Sequence, residues 1–159
     1  MKNMKVKVLI MDVDGTLTDG HIYMGENGEC MKAFHVKDGY AISHLLKEYH
    51  IEPMIITGRR SEIVKQRCQE LGICAVFQGE ANKLDAMLNY IDERNILLEH
   101  VAFIGDDIPD LECMKKAGIT GCPNDAVDLI KAHAQYISPH NGGGGAVRDF
   151  IEWIVKDVK

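Results

Sequence analysis

Nowhere in its 159 residues does this chain gather lysine and arginine into a block, and its formal charge of −6 leaves it acidic overall. Nucleic acid and anionic membrane surfaces are bound through clustered positive charge, so neither is expected as a partner, and a small anion in a local basic pocket is the charged ligand left to it. Apolar runs are only a few residues long, and Met1-Lys2-Asn3-Met4-Lys5 leads toward a strand without a secretory core. No membrane association is expected, and a soluble, cytoplasmic protein is. Cys30, Cys68, Cys74, Cys113 and Cys122 include no CxxC pair and sit mostly in apolar or helical contexts, as reduced core thiols do. His21, His35, His44, His50, His100, His133 and His140 show no close metal spacing, which argues against a zinc site. Repeats and low-complexity linkers are missing too, apart from Gly142-Gly143-Gly144-Gly145, which reads as a mobile hinge or a flap over a ligand.

What is present is a 46% hydrophobic chain, long enough for a core of its own and read as a single domain over 1–159. Val6 to Met11 and Pro53 to Ile56 have the composition of buried strands, with Ala75 to Gln78, Val101 to Ile104 and Tyr136-Ile137 as weaker ones. Helical patterns lie between them. Ser61 to Leu71 opens at an N-cap and ends at Gly72, Leu84, Met87, Leu88 and Ile91 share one face, and Lys115-Lys116-Ala117-Gly118 closes a further helix. Val147, Phe150, Ile151, Ile154 and Val155 give a tail helix at about 146–157 its apolar stripe. Such alternation predicts an α/β fold, a Rossmann-like three-layer α/β/α sandwich whose central parallel sheet binds ligands beyond the carboxyl ends of its strands. One insertion breaks the pattern after the first strand. Residues 20–36, with Asn27-Gly28 between apolar flanks, read as a β-hairpin, and because an isolated hairpin is marginal in water, it should pack on a second subunit or on its own domain.

Two acidic clusters sit at predicted strand ends. Asp12-Val13-Asp14-Gly15-Thr16 follows Val8 to Met11, and Gly105-Asp106-Asp107-Ile108-Pro109-Asp110 follows Val101 to Ile104. Acids converging this way imply one shared site for a hard cation, for which Mg2+ is the natural occupant. The chain also holds the parts that phosphoryl transfer needs. Asp12 is placed to attack phosphorus, and Asp14 to protonate the leaving oxygen and then activate water. Thr57 and Gly58 offer donors to phosphate oxygens, and Lys83 at a helix start neutralises the nucleophile and the developing charge. Asp106 is the expected metal ligand, with Asp107 and Asp110 behind it as supports or lysine anchors.

The ordered set DxDGT, Thr-Gly, Lys and GDDxxD resembles the haloacid dehalogenase (HAD) superfamily over essentially the whole chain. The resemblance implies a HAD-like fold in which Asp12 is the nucleophile, Asp14 is the acid/base and gives its backbone carbonyl to Mg2+, and Asp106 completes the metal site. An Asp at position 14 favours phosphatases, and the short insertions imply a site without a cap domain. More closely, the stretches Asp12 to Gly20, Phe34 to Gly39, Thr57-Gly58-Arg59, Arg67, Phe77-Gln78-Gly79, Lys83, Gly105 to Asp107 and Gly145 to Arg148 look like those of the 3-deoxy-D-manno-octulosonate 8-phosphate phosphatases, which are tetramers built through the hairpin. That implies a homotetramer acting on a sugar-acid phosphate through an aspartyl-phosphate, with His35, Val36, Lys37, Asp38, Gly39, Arg59 and Arg67 contacting substrate. Ser43 and Gly144 stand where such proteins commonly have arginine, which keeps nonulosonate 9-phosphates or another small sugar phosphate as alternative substrates. A non-catalytic oligomerisation domain is the remaining alternative, opposed by the retention of Asp12, Asp14, Lys83 and Asp106.

Overall fold

The computed structural model describes residues 5–156, so the expected end of the tail helix at about 157 and the residues Met1 to Met4 lie outside it. Six parallel strands form the sheet: β1 (Val8–Met11), β4 (Glu52–Thr57), β5 (Ala75–Gln78), β6 (Val101–Ile104), β7 (Ile119–Cys122) and β8 (Tyr136–Ile137), in the order β5-β4-β1-β6-β7-β8. Strand side chains alternate between faces, and β1 divides accordingly. Leu9 and Met11 face one layer and Val8 and Ile10 the other, all fully buried, which is why the run is uninterrupted by polar residues.

The first layer holds α1 (Val36–Tyr40), which passes through a π-helical turn (Ala41–Leu45) into α2 (Leu46–Glu48), together with α3 (Glu62–Leu71) and α7 (Ala146–Val155). The second holds α4 (Lys83–Glu93), α5 (Leu111–Lys116) and α6 (Asp128–His133). Phe150 from α7 and Phe103 from β6 anchor opposite layers without exposure, and truncating either to alanine is expected to cost about 3–5 kcal/mol. The cap on α3 is the expected one: Ser61 Oγ accepts from Val64 N at 3.4 Å, and Gly72 leaves the helix at φ 73°. From β1 the chain winds outward through β4 and β5, then returns across β1 to β6 and continues the other way. Loops leaving β1 and β6 therefore diverge, opening a crevice at their carboxyl ends.

The three-layer parallel architecture and the strands at 75–78 and 101–104 are as expected. Strand β7 is not visible in the sequence, because Ile-Thr-Gly-Cys is short and contains a glycine. Phe150 fills that place, within 2.5 Å of where a Cβ on Gly121 would lie. The hairpin is shorter than predicted, with β2 (Tyr23–Gly25) and β3 (Gly28–Met31) paired antiparallel. Beyond Met31 the chain turns back to its own domain, where Phe34 bridges to Thr18 and packs on the core and His35 caps α1. The glycine run is packed into the domain. Gly143 N donates to Thr16 O at 3.2 Å, Gly142 N donates to Asp125 Oδ1 at 2.9 Å, and a Cβ on Gly142 would lie 1.9 Å from Gly15 O. These are close backbone contacts that only glycine permits. Among the described residues no helix is long and apolar enough to cross a membrane.

Candidate active site

Asp12 is the first residue past β1, and its N–H still joins the ladder, donating to Ile104 O at 3.1 Å. The chain then curls around one acceptor, Val13 O, which takes N–H donors from Thr16, Leu17 and Thr18 at 3.1, 2.9 and 3.1 Å. At the apex Gly15 has φ 89°, and a Cβ there would sit 2.0 Å from Asp106 Oδ2. Glycine is therefore required twice, for the left-handed backbone and for the approach of the second acidic loop. Thr16 Oγ1 donates to Asp106 Oδ1 at 3.0 Å, locking the two loops together.

Behind them Asp107 and Asp110 form a capping box around the 3-10 turn Ile108–Asp110, with Asp110 Oδ2 accepting from the amides of Asp106 at 3.0 Å and Asp107 at 3.3 Å. Lys83, the first residue of α4, donates through Nζ to Asp12 Oδ1 at 2.7 Å and to Asp110 Oδ1 at 2.8 Å. Asp12, Asp106 and Asp110 each place a carboxylate oxygen within 4.8 Å of the others. Burial pushes the Asp12 carboxyl up to about 7 against the pull of Lys83, and it is the largest cause raising Asp106 and Asp110 to about 6 each. Burial also works against the charge on Lys83, but Asp12 and Asp110 more than offset it and hold the ammonium above its usual range. Three carboxylates therefore face one ammonium, an excess of two negative charges in a buried place. Oxygen donors with that excess fit a hard divalent cation.

The model of the haloacid dehalogenase-like hydrolases matches residues 69–151. The chain is 44% identical over 150 residues, 94% of its length and 79% of the relative's, to the 3-deoxy-D-manno-octulosonate 8-phosphate phosphatase KdsC of Salmonella typhi. This chain belongs to the haloacid dehalogenase-like hydrolases. Its fold superposes with a TM-score of 0.92 on the crystal structure of 3-deoxy-D-manno-octulosonate 8-phosphate phosphatase from Yersinia pestis, at 40% identity over 97% of this chain and 83% of that one. The same enzyme from Moraxella catarrhalis, in complex with magnesium ion, phosphate ion and KDO, is 41% identical with a TM-score of 0.92, covering 98% of this chain and 88% of that one.

In this member of the hydrolase family, the remaining residues singled out from sequence fall into two groups. Thr57 ends β4, buried beside the crevice, and Gly58 and Arg59 follow it into the open. Arg59 Nη2 stands 3.6 Å from Glu29 Oε2. The second group lies on α1 and α3. His35 Nδ1 accepts from Lys37 N at 3.2 Å, Val36 and Lys37 are exposed, and buried Asp38 accepts from Arg148 N at 2.8 Å, with burial raising its carboxyl above the usual range. Arg67 stacks over Phe34 at 5.6 Å, bonds Glu70 at 2.7 Å and crowds Gly39, so its guanidinium is held within that group. Sequence reasoning missed two residues that touch the site. Lys32 Nζ donates to Asp14 Oδ1 at 2.5 Å, and Glu29 accepts from Ser61 Oγ at 2.6 Å. Their one sequence signal is a pair of opposite charges three apart on the returning side of the hairpin, which does not say where the hairpin folds.

Proposed function

We propose that this protein is a magnesium-dependent phosphomonoesterase that hydrolyses 3-deoxy-D-manno-octulosonate 8-phosphate through an aspartyl-phosphate. The observation that carries the chemistry is the buried contact of Lys83 with Asp12 at 2.7 Å, facing Asp106 across the crevice between β1 and β6. The substrate class follows from the named activity of relatives that cover nearly the whole chain. In the first step an Asp12 oxygen forms a bond to phosphorus as the sugar–oxygen bond to phosphorus breaks, and Asp14 gives a proton to the departing alkoxide. In the second, Asp14 takes a proton from water, whose oxygen bonds to phosphorus and releases Asp12 and inorganic phosphate. Lys83 holds Asp12 in place and balances negative charge through both steps. Mg2+ would be held by Asp12, Asp106 and the Asp14 carbonyl, and when bound it supplies Lewis-acid neutralisation of the phosphoryl oxygens. Thr57 and the Gly58 amide line the phosphate side, and Arg59 is suited to a sugar-acid carboxylate, since guanidinium and carboxylate pair through two parallel bonds.

Assembly through the hairpin is part of the same proposal. Ile22, Met24 and Met31 leave apolar side chains exposed on it, as expected of a surface that a second copy covers. A reducing cytoplasm suits the five unpaired cysteines. Phosphate release from a panel of sugar-acid phosphates tests the whole reading. Turnover should be fastest on the eight-carbon ulosonate phosphate and vanish on chelation, and preference for a nine-carbon acid or a simple sugar phosphate would replace the substrate.

A further inference from the structure

We propose that Lys32, delivered by the hairpin, is the positioning residue for Asp14. The Asp14 side chain is 19% exposed at the mouth of the crevice, yet the lysine that reaches it is only 1% exposed along its length. Burying a whole lysine stem beside an open cleft requires partners for the ammonium, and two carboxylates supply them: Asp14 Oδ1 at 2.5 Å and Glu29 Oε2 at 3.0 Å. Glu29 is itself held, by Ser61 Oγ at 2.6 Å and with Arg59 Nη2 at 3.6 Å. One polar chain therefore runs from the cap of α3 through Glu29 and Lys32 to Asp14. It ties the hairpin to the loop after β4 and to the loop after β1.

An aspartate on a glycine turn has two free side-chain torsions, and proton transfer to a leaving oxygen needs its carboxyl within hydrogen-bond reach. With Oδ1 fixed by Lys32, the carboxyl plane is restrained and the place of Oδ2 is defined with it. Displacement of a reacting group by about 1 Å costs as much as about 100-fold in rate, so this restraint should be visible in kinetics. The inference rests on Asp14 being the acid/base of the proposed reaction.

The test separates orientation of a proton donor from general support of the fold. With excess Mg2+, kcat/KM reports the first step, in which an alkyl leaving group needs the proton from Asp14 and 2,4-dinitrophenolate does not. Lys32→Met should lower kcat/KM on a sugar-acid phosphate about tenfold more than on 2,4-dinitrophenyl phosphate, and Lys32→Arg, which keeps charge and donor, should recover most of the loss. Lys32→Gln gives the same comparison if the methionine variant does not fold. Asp14→Asn is the control, with a larger discrimination of the same sign. Equal losses on the two substrates for Lys32→Met and Lys32→Gln, while Asp14→Asn discriminates, would overturn the role of Lys32 and leave Asp14 intact. Failure of Asp14→Asn to discriminate would instead overturn the acid/base assignment and this inference with it.

Discussion

Asp12 is held between opposing demands. As the proposed nucleophile it must be ionised, yet it is 6% exposed beside two further acids, and only the contact with Lys83 favours its charge among the described residues. Asp12→Asn should lower turnover by about 10,000-fold or more, as loss of a covalent nucleophile does, with the amide's reversion to acid excluded by mass. Removing one of three crowded carboxyls should also leave the metal-free melting temperature no lower than the parent's, which calorimetry would show. Crowding has a consequence for pH as well. Asp12, Asp106 and Asp110 are raised in the folded state, so between the ordinary carboxyl range near 4 and their raised values of about 6 to 7 the folded protein holds more protons than the unfolded chain. The stability they contribute is full below that window and is lost as pH rises through it. Metal-free protein should therefore melt lower at pH 7.5 than at pH 5.5, and saturating Mg2+ at pH 7.5 should reverse the difference. A metal-free melting temperature that climbs across this range would contradict the shifts.

At the scale of elements, the loop before α7 shows how a segment far along the chain sets the geometry of the first motif. Gly142 lies against Gly15 O, and Gly143 binds Thr16 O, so the glycine run forms one wall behind the turn that presents Asp12 and Asp14. A Cβ at position 142 would collide with backbone and not with the end of a side chain that can swing away. Gly142→Ala should lower kcat at least about tenfold and destabilise the fold by about 1–3 kcal/mol, through displacement of the turn that carries the proposed catalytic pair Asp12 and Asp14. Gly144→Ala is the comparison, because its nearest atom would be Asn141 O at 3.1 Å, within its own loop. Similar losses for both variants would show that the run matters only as a flexible connector. Helix ends were legible where a local pattern carried them, as at Ser61 and Gly72, which open and close α3. The packed role of the glycine run was not, since a run of glycines has the same local sequence whether it is loose or clamped.

For the molecule as a whole, the hairpin is the element that reaches the site through Lys32 and carries the surface of the proposed assembly. Its outward residues Ile22 and Met24 are exposed, whereas Phe34, which lies in the predicted returning strand, is partly buried against the core beside Arg67. Charges at Ile22 and Met24 together should dissociate the proposed tetramer at micromolar concentration with the monomer still folded, as read by light scattering and circular dichroism. Phe34→Asp should act differently and lower the melting temperature, because it places a charge in the domain's own core. A wild-type monomer in the same experiment would remove the assembly proposal.

What the sequence determined by itself is what short-range rules encode. Continuous apolar runs mark β1 and β6, a serine and a glycine bracket α3, and two acidic turns follow buried runs, so the parallel sheet and the residues Asp12, Asp106 and Lys83 could be named before their contacts were known. Tertiary structure decided the rest. Residues 71 positions apart meet when Lys83 reaches Asp12, Asp110 accepts that lysine, and the hairpin folds back so that Lys32 meets Asp14 across 18 positions. The physical reason is that a buried charge is specified by the partners that satisfy it. Those partners come from whichever elements the sheet order brings together, a matter of global topology that local periodicity does not record.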